Sequence, residues 1–175
     1  ARAPADTPLI VPTLPWEIGN ATNGDQTDTV FNALPTNATN FFREALNTRQ
    51  YEPDPPNFTP RISCVLDLRA AEPSAMLSIL KKSPADEGCD RFFFEYATLA
   101  PGLGRCITTY DANGKPLPSF SGEPKLVPIR GTTADEIADT YWQALNANNK
   151  VALTVKIISR DRKVKAHSVR NRHCQ

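Results

Sequence analysis

The residues of this 175-residue chain best equipped for chemistry are few: two histidines, four cysteines and a cluster of cations near the C-terminus. Acid–base catalysis on a phosphodiester uses a pair of proton-transfer groups near neutrality, with a cation for the developing charge. Glu95, Arg105, His167 and His173 are the one assembly of that kind. Both histidines fall in the last nine residues, so they would have to fold back from a basic end. No GxSxG, P-loop, HExxH or GxGxxG pattern occurs. Asp135 and Glu136 are adjacent on a helical stretch and point apart, as first-turn charges do. With two histidines and no CxxC pair, zinc ligands of the usual spacing are lacking. The sequence therefore predicts a protein without catalytic residues, cofactor or metal.

Charge supplies the candidate binding surface. From Lys156 to Gln175 there are seven Lys or Arg against the single acid Asp161, a net charge of +6. The other 155 residues carry thirteen basic and eighteen acidic side chains, a net of −5. Arg160, Arg162, Lys163, Lys165, Arg170 and Arg172 form the expected binding residues. Such a patch attracts polyanions or an acidic partner, which here means an extracellular protein, a glycan or an anionic membrane surface. Nucleic acid is not expected. Phe92, Phe93 and Phe94 read as sheet packing, because Arg105 to Asp111 lacks the glycine–aromatic motif of an RNA-stacking strand.

The cysteines and the asparagines point to a compartment. Cys64, Cys89, Cys106 and Cys174 are dispersed and even in number, which fits two disulfides in an oxidising environment with connectivity open. Asn20, Asn37 and Asn57 each begin an N-glycosylation triplet, and all lie before residue 60. Together they predict a secreted, extracellular glycoprotein. No run approaches the length of a membrane span.

Positioning these groups falls to a short list of elements. Ile62, Cys64, Leu66 and Leu68 alternate with polar residues and predict a strand with those four facing inward. Glu72-Pro73 opens a predicted helix carrying Met76, Leu77, Ile79 and Leu80, closed by Lys81, Lys82 and Ser83-Pro84. Arg91–Tyr96 and Arg105–Tyr110 are predicted strands, and Asn113-Gly114 is a hairpin signal that folds Lys115–Phe120 back. Thr133 and Glu136 have capping-box spacing ahead of a helix with Ile137, Tyr141 and Leu145 inward. Val151–Ile158 alternates as a last strand. That order, βαββαβ over residues 61–159, predicts an α+β fold, a ferredoxin-like α/β plait with an antiparallel sheet and two helices on one face.

Residues 1–60 hold nine of the sixteen prolines and read as an irregular, partly helical N-terminal extension packed on the plait, with short helices at Asp28–Leu34 and Asn40–Arg49. Val30, Phe31 and Leu34 are expected inward in the first of these. Residues 160–175 read as a basic tail tethered by Cys174. The element order, with Cys64 in the first strand, Cys106 in the third and a Cys near the end, resembles small secreted fungal effectors and killer toxins built on an α/β plait. That resemblance implies a non-enzymatic, toxin-like protein that binds a host or competitor surface component. Two alternatives stand beside it: a protease inhibitor or prodomain-like module presenting Ala100–Gly104, and a secreted hydrolase or ribonuclease.

Overall fold

A computed structural model of the protein describes residues 18–33, 40–69 and 73–174. Among them are eight strands in three antiparallel sheets and three short helices. The principal sheet is a four-stranded meander of β1 (Ile18–Thr22), β2 (Arg61–Asp67), β3 (Ser74–Lys82) and β4 (Cys89–Tyr96), paired in that order. Helices α1 (Gln26–Ala33) and α2 (Phe41–Leu46) follow β1 and cover one face. Strands β5 (Leu103–Cys106) and β6 (Lys125–Pro128) form a second sheet. Helix α3 (Ala134–Ala144) packs on a hairpin of β7 (Ala152–Ile158) and β8 (Val164–Asn171).

This is not the plait that the sequence predicts, and one segment accounts for most of the difference. Ser74–Lys82 is a strand, not a helix. Its register places it between β2 and β4, with Ser78 opposite both Ser63 and Phe93. Leu77, Ser78, Ile79 and Leu80 are all buried, so both faces of β3 are covered. A strand buried on both sides has no reason to alternate, and its apolar run Ala75–Leu80, broken only by Ser78, has the composition of a buried helix.

The inward face of β2 is also the reverse of the expected one. Ser63 and Val65 are its buried residues, while Ile62, Cys64 and Leu66 lie on the other, half-buried face. Val65 is opposite Met76 and joins Val30, Phe41, Phe42, Leu46 and Leu80 in the main core, with Phe93 packed against them. Phe42 meets Phe93 edge-to-face at 5.8 Å, a favoured aromatic geometry. Residues before 60 thus supply a strand and both helices to the principal core, and the boundary drawn at residue 60 runs through it. Phe31, expected inward, is half exposed, and Leu34 lies outside the described residues.

The opposite face of the sheet carries Leu77 and Ile79, both buried. The segment after β4 returns along it. Lys81 Nζ donates to the Phe120 carbonyl at 3.1 Å, and the Arg105 guanidinium stacks 4.4 Å from the Tyr96 ring. Asn113-Gly114 does turn the chain back, but the return is a loop closed by a single Tyr110–Ser119 bridge. Farther on, Thr133 caps α3 in a complete capping box with Glu136. The basic C-terminal run is no loose tail: half of residues 160–175 are β8, paired along the length of β7.

Candidate functional site

The densest polar assembly forms where β1 runs into α1. Asn23, Gly24, Asp25, Gln26, Thr27 and Asp28 are six consecutive residues with no apolar side chain, and they take the chain from one element to the other. Asn23 uses its whole amide: Oδ1 accepts from Ile62 N at 2.8 Å, and Nδ2 donates to the Pro60 carbonyl at 2.9 Å and to Thr109 Oγ1 at 3.2 Å. Gln26 is fully buried, and its Nε2 donates to the Ile62 carbonyl and Ser63 Oγ. Its Oε1 accepts from Arg61 NH1 at 3.0 Å.

Arg61 is the charged centre of this network. Its side chain is 13% exposed and contacts Asp25 Oδ1 at 2.7 Å and Glu52 Oε1 at 3.5 Å. The second oxygen of Asp25 accepts from Arg49 NH1 at 3.3 Å, so one carboxylate joins two guanidinium groups. Gly24 is required by close approach. A Cβ there would sit 2.0 Å from Arg61 NH1 and 2.6 Å from Gln26 Oε1. Three separated segments are thereby locked together: the β1–α1 turn, residues 49–61 and residues 109–110.

From this anchor a hydrogen-bonded chain runs outward. Thr59, two residues before Arg61, donates its hydroxyl to Asp54 Oδ2 at 2.5 Å and its backbone N–H to Oδ1 at 2.6 Å. The Thr59 hydroxyl bond holds the Asp54 carboxyl below its usual range. An ionised carboxylate only accepts, so the Thr59 proton points to Asp54. The Thr59 oxygen then accepts from the Tyr110 hydroxyl, 2.6 Å away. Phe58 in the same loop has φ of +47°, an uncommon conformation for a bulky residue. Tyr51 packs edge-on against Phe58 at 5.8 Å and Lys82 Nζ lies 4.5 Å over its ring, which pins the loop.

Tyr110 lines a cleft of about 390 Å³ with Asp111, Asn113, Leu117, Asn146 and Asn149. Ser121 and Lys125 hydrogen-bond Asp111 and keep its carboxyl below the usual range, the Ser121 backbone contributing most. The cleft thus offers three amide side chains, one carboxylate engaged by a lysine, and a phenol polarised through Thr59 by Asp54. Amides present paired donors and acceptors, the pattern that reads the edge of a nucleobase.

The residues singled out from the sequence are placed elsewhere and are not brought into one site. Arg162 donates to the Leu68 and Arg69 carbonyls, and Arg170 is paired with Asp135 and Asp139. Lys163 and Lys165 both approach Asp161, Arg172 donates to the Asn148 carbonyl, and Arg160 is exposed. His167 lies on β8 and His173 just beyond it, both exposed. Glu95 is paired with Arg43, and Arg105 is stacked on Tyr96. Cys64, Cys89, Cys106 and Cys174 are free thiols, with burial pushing the Cys64 and Cys89 thiol pKa values up.

Of the glycosylation triplets, Asn20 lies on β1 with Nδ2 bonded to the Thr27 carbonyl and Oδ1 buried, so a glycan there would displace that packing. Asn57 Oδ1 accepts from Leu117 N, and Asn37 lies outside the described residues. Among the described residues no cluster of His, Cys, Asp or Glu is placed to hold a metal, and no helix is long and apolar enough to cross a membrane.

Sequence reading missed Asn23, Gly24, Asp25, Gln26, Asp54, Thr59, Arg61 and Tyr110. The available signal was the unbroken polar run Asn23–Asp28 at a helix entrance. A family model described as IMP cyclohydrolase-like protein matches residues 17–162, a span that contains every residue of the network and the cleft. No curated protein and no solved structure is a significant match to the chain. The family match overturns the resemblance to secreted fungal effectors and killer toxins, and with it the non-enzymatic, toxin-like function and its binding-module alternative. The chain belongs to the IMP cyclohydrolase-like family.

Proposed function

We propose that this member of the IMP cyclohydrolase-like family is a hydrolase-type enzyme of purine-nucleotide chemistry, acting on the six-membered ring of an IMP-like nucleotide in the Tyr110 cleft. Hydrolytic opening of that ring places one water across a C–N bond and leaves a formamide beside a carboxamide. Ring closure is the reverse and releases the water. In either direction the attacking O–H or N–H must lose a proton, and the departing nitrogen or oxygen must gain one.

The observation that carries the reading is the Tyr110–Thr59–Asp54 chain ending at a cleft lined by amides. The Tyr110 proton is committed to Thr59, which leaves a phenolic lone pair to accept the proton of the attacking group. As it does so, the Tyr110 proton passes to Thr59 and the Thr59 proton to Asp54. The nucleophile is then activated at the cost of one proton on Asp54, and the same chain run backwards protonates the leaving atom. Asn113, Asn146 and Asn149 supply donors and acceptors for the carboxamide and ring edges.

The test is the ultraviolet absorbance change on incubating the full chain with IMP, and separately with its ring-opened formamido carboxamide counterpart. Turnover in one direction is expected, and Tyr110→Phe should lower kcat about 100-fold, the lower end for loss of a positioned acid–base group. No turnover in either direction by folded protein, or an unchanged kcat in Tyr110→Phe, would overturn the proposal.

A further inference from the structure

A second cleft, of about 360 Å³, lies between α2 and β4 and is lined by Asn40, Arg43, Glu44, Asn47, Arg91 and Phe93. Arg91 is its unusual member. NH1 donates to the Cys89 carbonyl at 3.1 Å and NH2 to the Arg49 carbonyl at 2.8 Å, both neutral acceptors. Its Nε is buried and has no acceptor among the described residues. A guanidinium with a buried, unused donor and only neutral partners is left electrostatically unbalanced, and such a group favours an anion.

The rest of the cleft adds a preference. The Arg43 guanidinium stacks 4.6 Å above the Phe93 ring, which leaves its outer face open to a second planar group. Its carboxylate partner Glu95 is well exposed, so that pair is readily exchanged. Asn40 makes no capping bond, and neither its side-chain amide nor that of Asn47 is used among the described residues. A cation for phosphate, a planar stacking surface and free amides make a nucleotide-shaped set.

We propose that this cleft is a second nucleotide site, separate from the Tyr110 cleft, with Arg91 holding the phosphate and the Arg43–Phe93 stack supporting the base. It also has a route to the polar network. Arg91 NH2 holds the carbonyl of Arg49, and the Arg49 side chain reaches Asp25 and Thr29. Asp25 in turn pairs with Arg61. A ligand that redirects Arg91 therefore acts on the backbone of a residue that braces the network. The expected role is regulation of activity by a nucleotide bound outside the catalytic cleft.

The test is calorimetric titration of the full chain with IMP, inosine and inorganic phosphate in turn, repeated on Arg91→Met, Asn47→Ala and Tyr110→Phe. IMP should bind to the wild type and to Tyr110→Phe, with affinity falling as salt is raised. With IMP also entering the Tyr110 cleft, two binding events are expected. Arg91→Met should weaken one of them at least tenfold and leave the other, and Asn47→Ala, which breaks no side-chain hydrogen bond among the described residues, should weaken the same one measurably. Inosine and phosphate should each bind less tightly than IMP. Binding unchanged in both Arg91→Met and Asn47→Ala would overturn the second site, as would phosphate binding as tightly as IMP. Failure of catalysis at Tyr110 would appear as absent turnover and leave Arg91-dependent binding intact, so the two proposals fail separately.

Discussion

Replacing Thr59 by Val removes one hydroxyl and keeps the shape, and it cuts the proposed relay at its middle atom. Two contacts vanish: the 2.5 Å bond to Asp54 and the 2.6 Å bond to Tyr110. The backbone N–H of residue 59 still holds Asp54 Oδ1. Asp54 is exposed, and water replaces the lost donor, so the stability loss should stay below about 1 kcal/mol. Activity should respond far more. Loss of a positioned acid–base path costs about 100-fold or more in kcat, with KM little changed because no cleft-lining group is removed.

A pH signature accompanies the rate. The folded Asp54 pKa is depressed, chiefly by the Thr59 hydroxyl, so this bond contributes stability at pH above the unfolded aspartate value and loses it as pH falls toward the folded value. In Thr59→Val that acid-side decline should shrink, measured by urea unfolding between about pH 5 and 2. A kcat within threefold of wild type, in a protein with an unchanged unfolding midpoint at pH 7, would refute the relay.

Three other outcomes check the structure around the site. Gln26→Leu strips the buried Ile62 carbonyl and Ser63 of a donor and Arg61 of an acceptor. It should cost about 3 kcal/mol at pH 7 by chemical denaturation, and a loss below about 0.5 kcal/mol would show that the network does not hold the fold. Thr133→Ala removes the Thr half of the α3 capping box and should cost about 1 kcal/mol, read from the same unfolding curves. Alkylation without reductant, followed by intact mass, should add four labels to the unfolded chain and label exposed Cys174 first in the native one. Fewer than four labels would show disulfides and support the extracellular expectation that goes with them.

The contrast between α3 and β3 shows what local pattern can and cannot reveal. Helix α3 has a capping box that states where it begins, but its buried residues are Ala134 and Ala138, and Leu145, expected inward, is exposed. Strand β3 sits between two other strands with both faces covered, and neither fact is written in Ser74–Lys82 itself. β2 fails more narrowly. Its alternation was legible, but its inward face is set by α1 and α2, which bury Val65 and the hydroxyl of Ser63 in place of the more apolar set. The site was harder still, because its members are scattered along the sequence and meet only through tertiary contacts such as Asn23 to Thr109, 86 residues apart. The C-terminal cations stood out by composition, yet most of them are occupied by Asp135, Asp139, Asp161 or backbone carbonyls.

The polar network raises a question of energetics whose answer bears on function. Gln26, Ser63 and Ser78 are buried where apolar residues would pack without penalty, and Asn20 Oδ1 and Ser78 Oγ are buried without a partner among the described residues. Arg61, nearly buried, draws two carboxylates and an amide around it. Replacing such assemblies with apolar side chains is often neutral or stabilising, so stability alone does not explain this one. Position does. Arg61 fixes the start of β2, and the Pro60 carbonyl is held by Asn23. Thr59 is the next residue back, and its place determines whether one hydroxyl can reach both Asp54 and Tyr110. A shift of 1 Å at Thr59 would break one of those two bonds, since both are already at hydrogen-bond contact. The buried network thus sets the coordinates of a short proton path opening into a cleft, a requirement of catalysis that a purely structural core does not have.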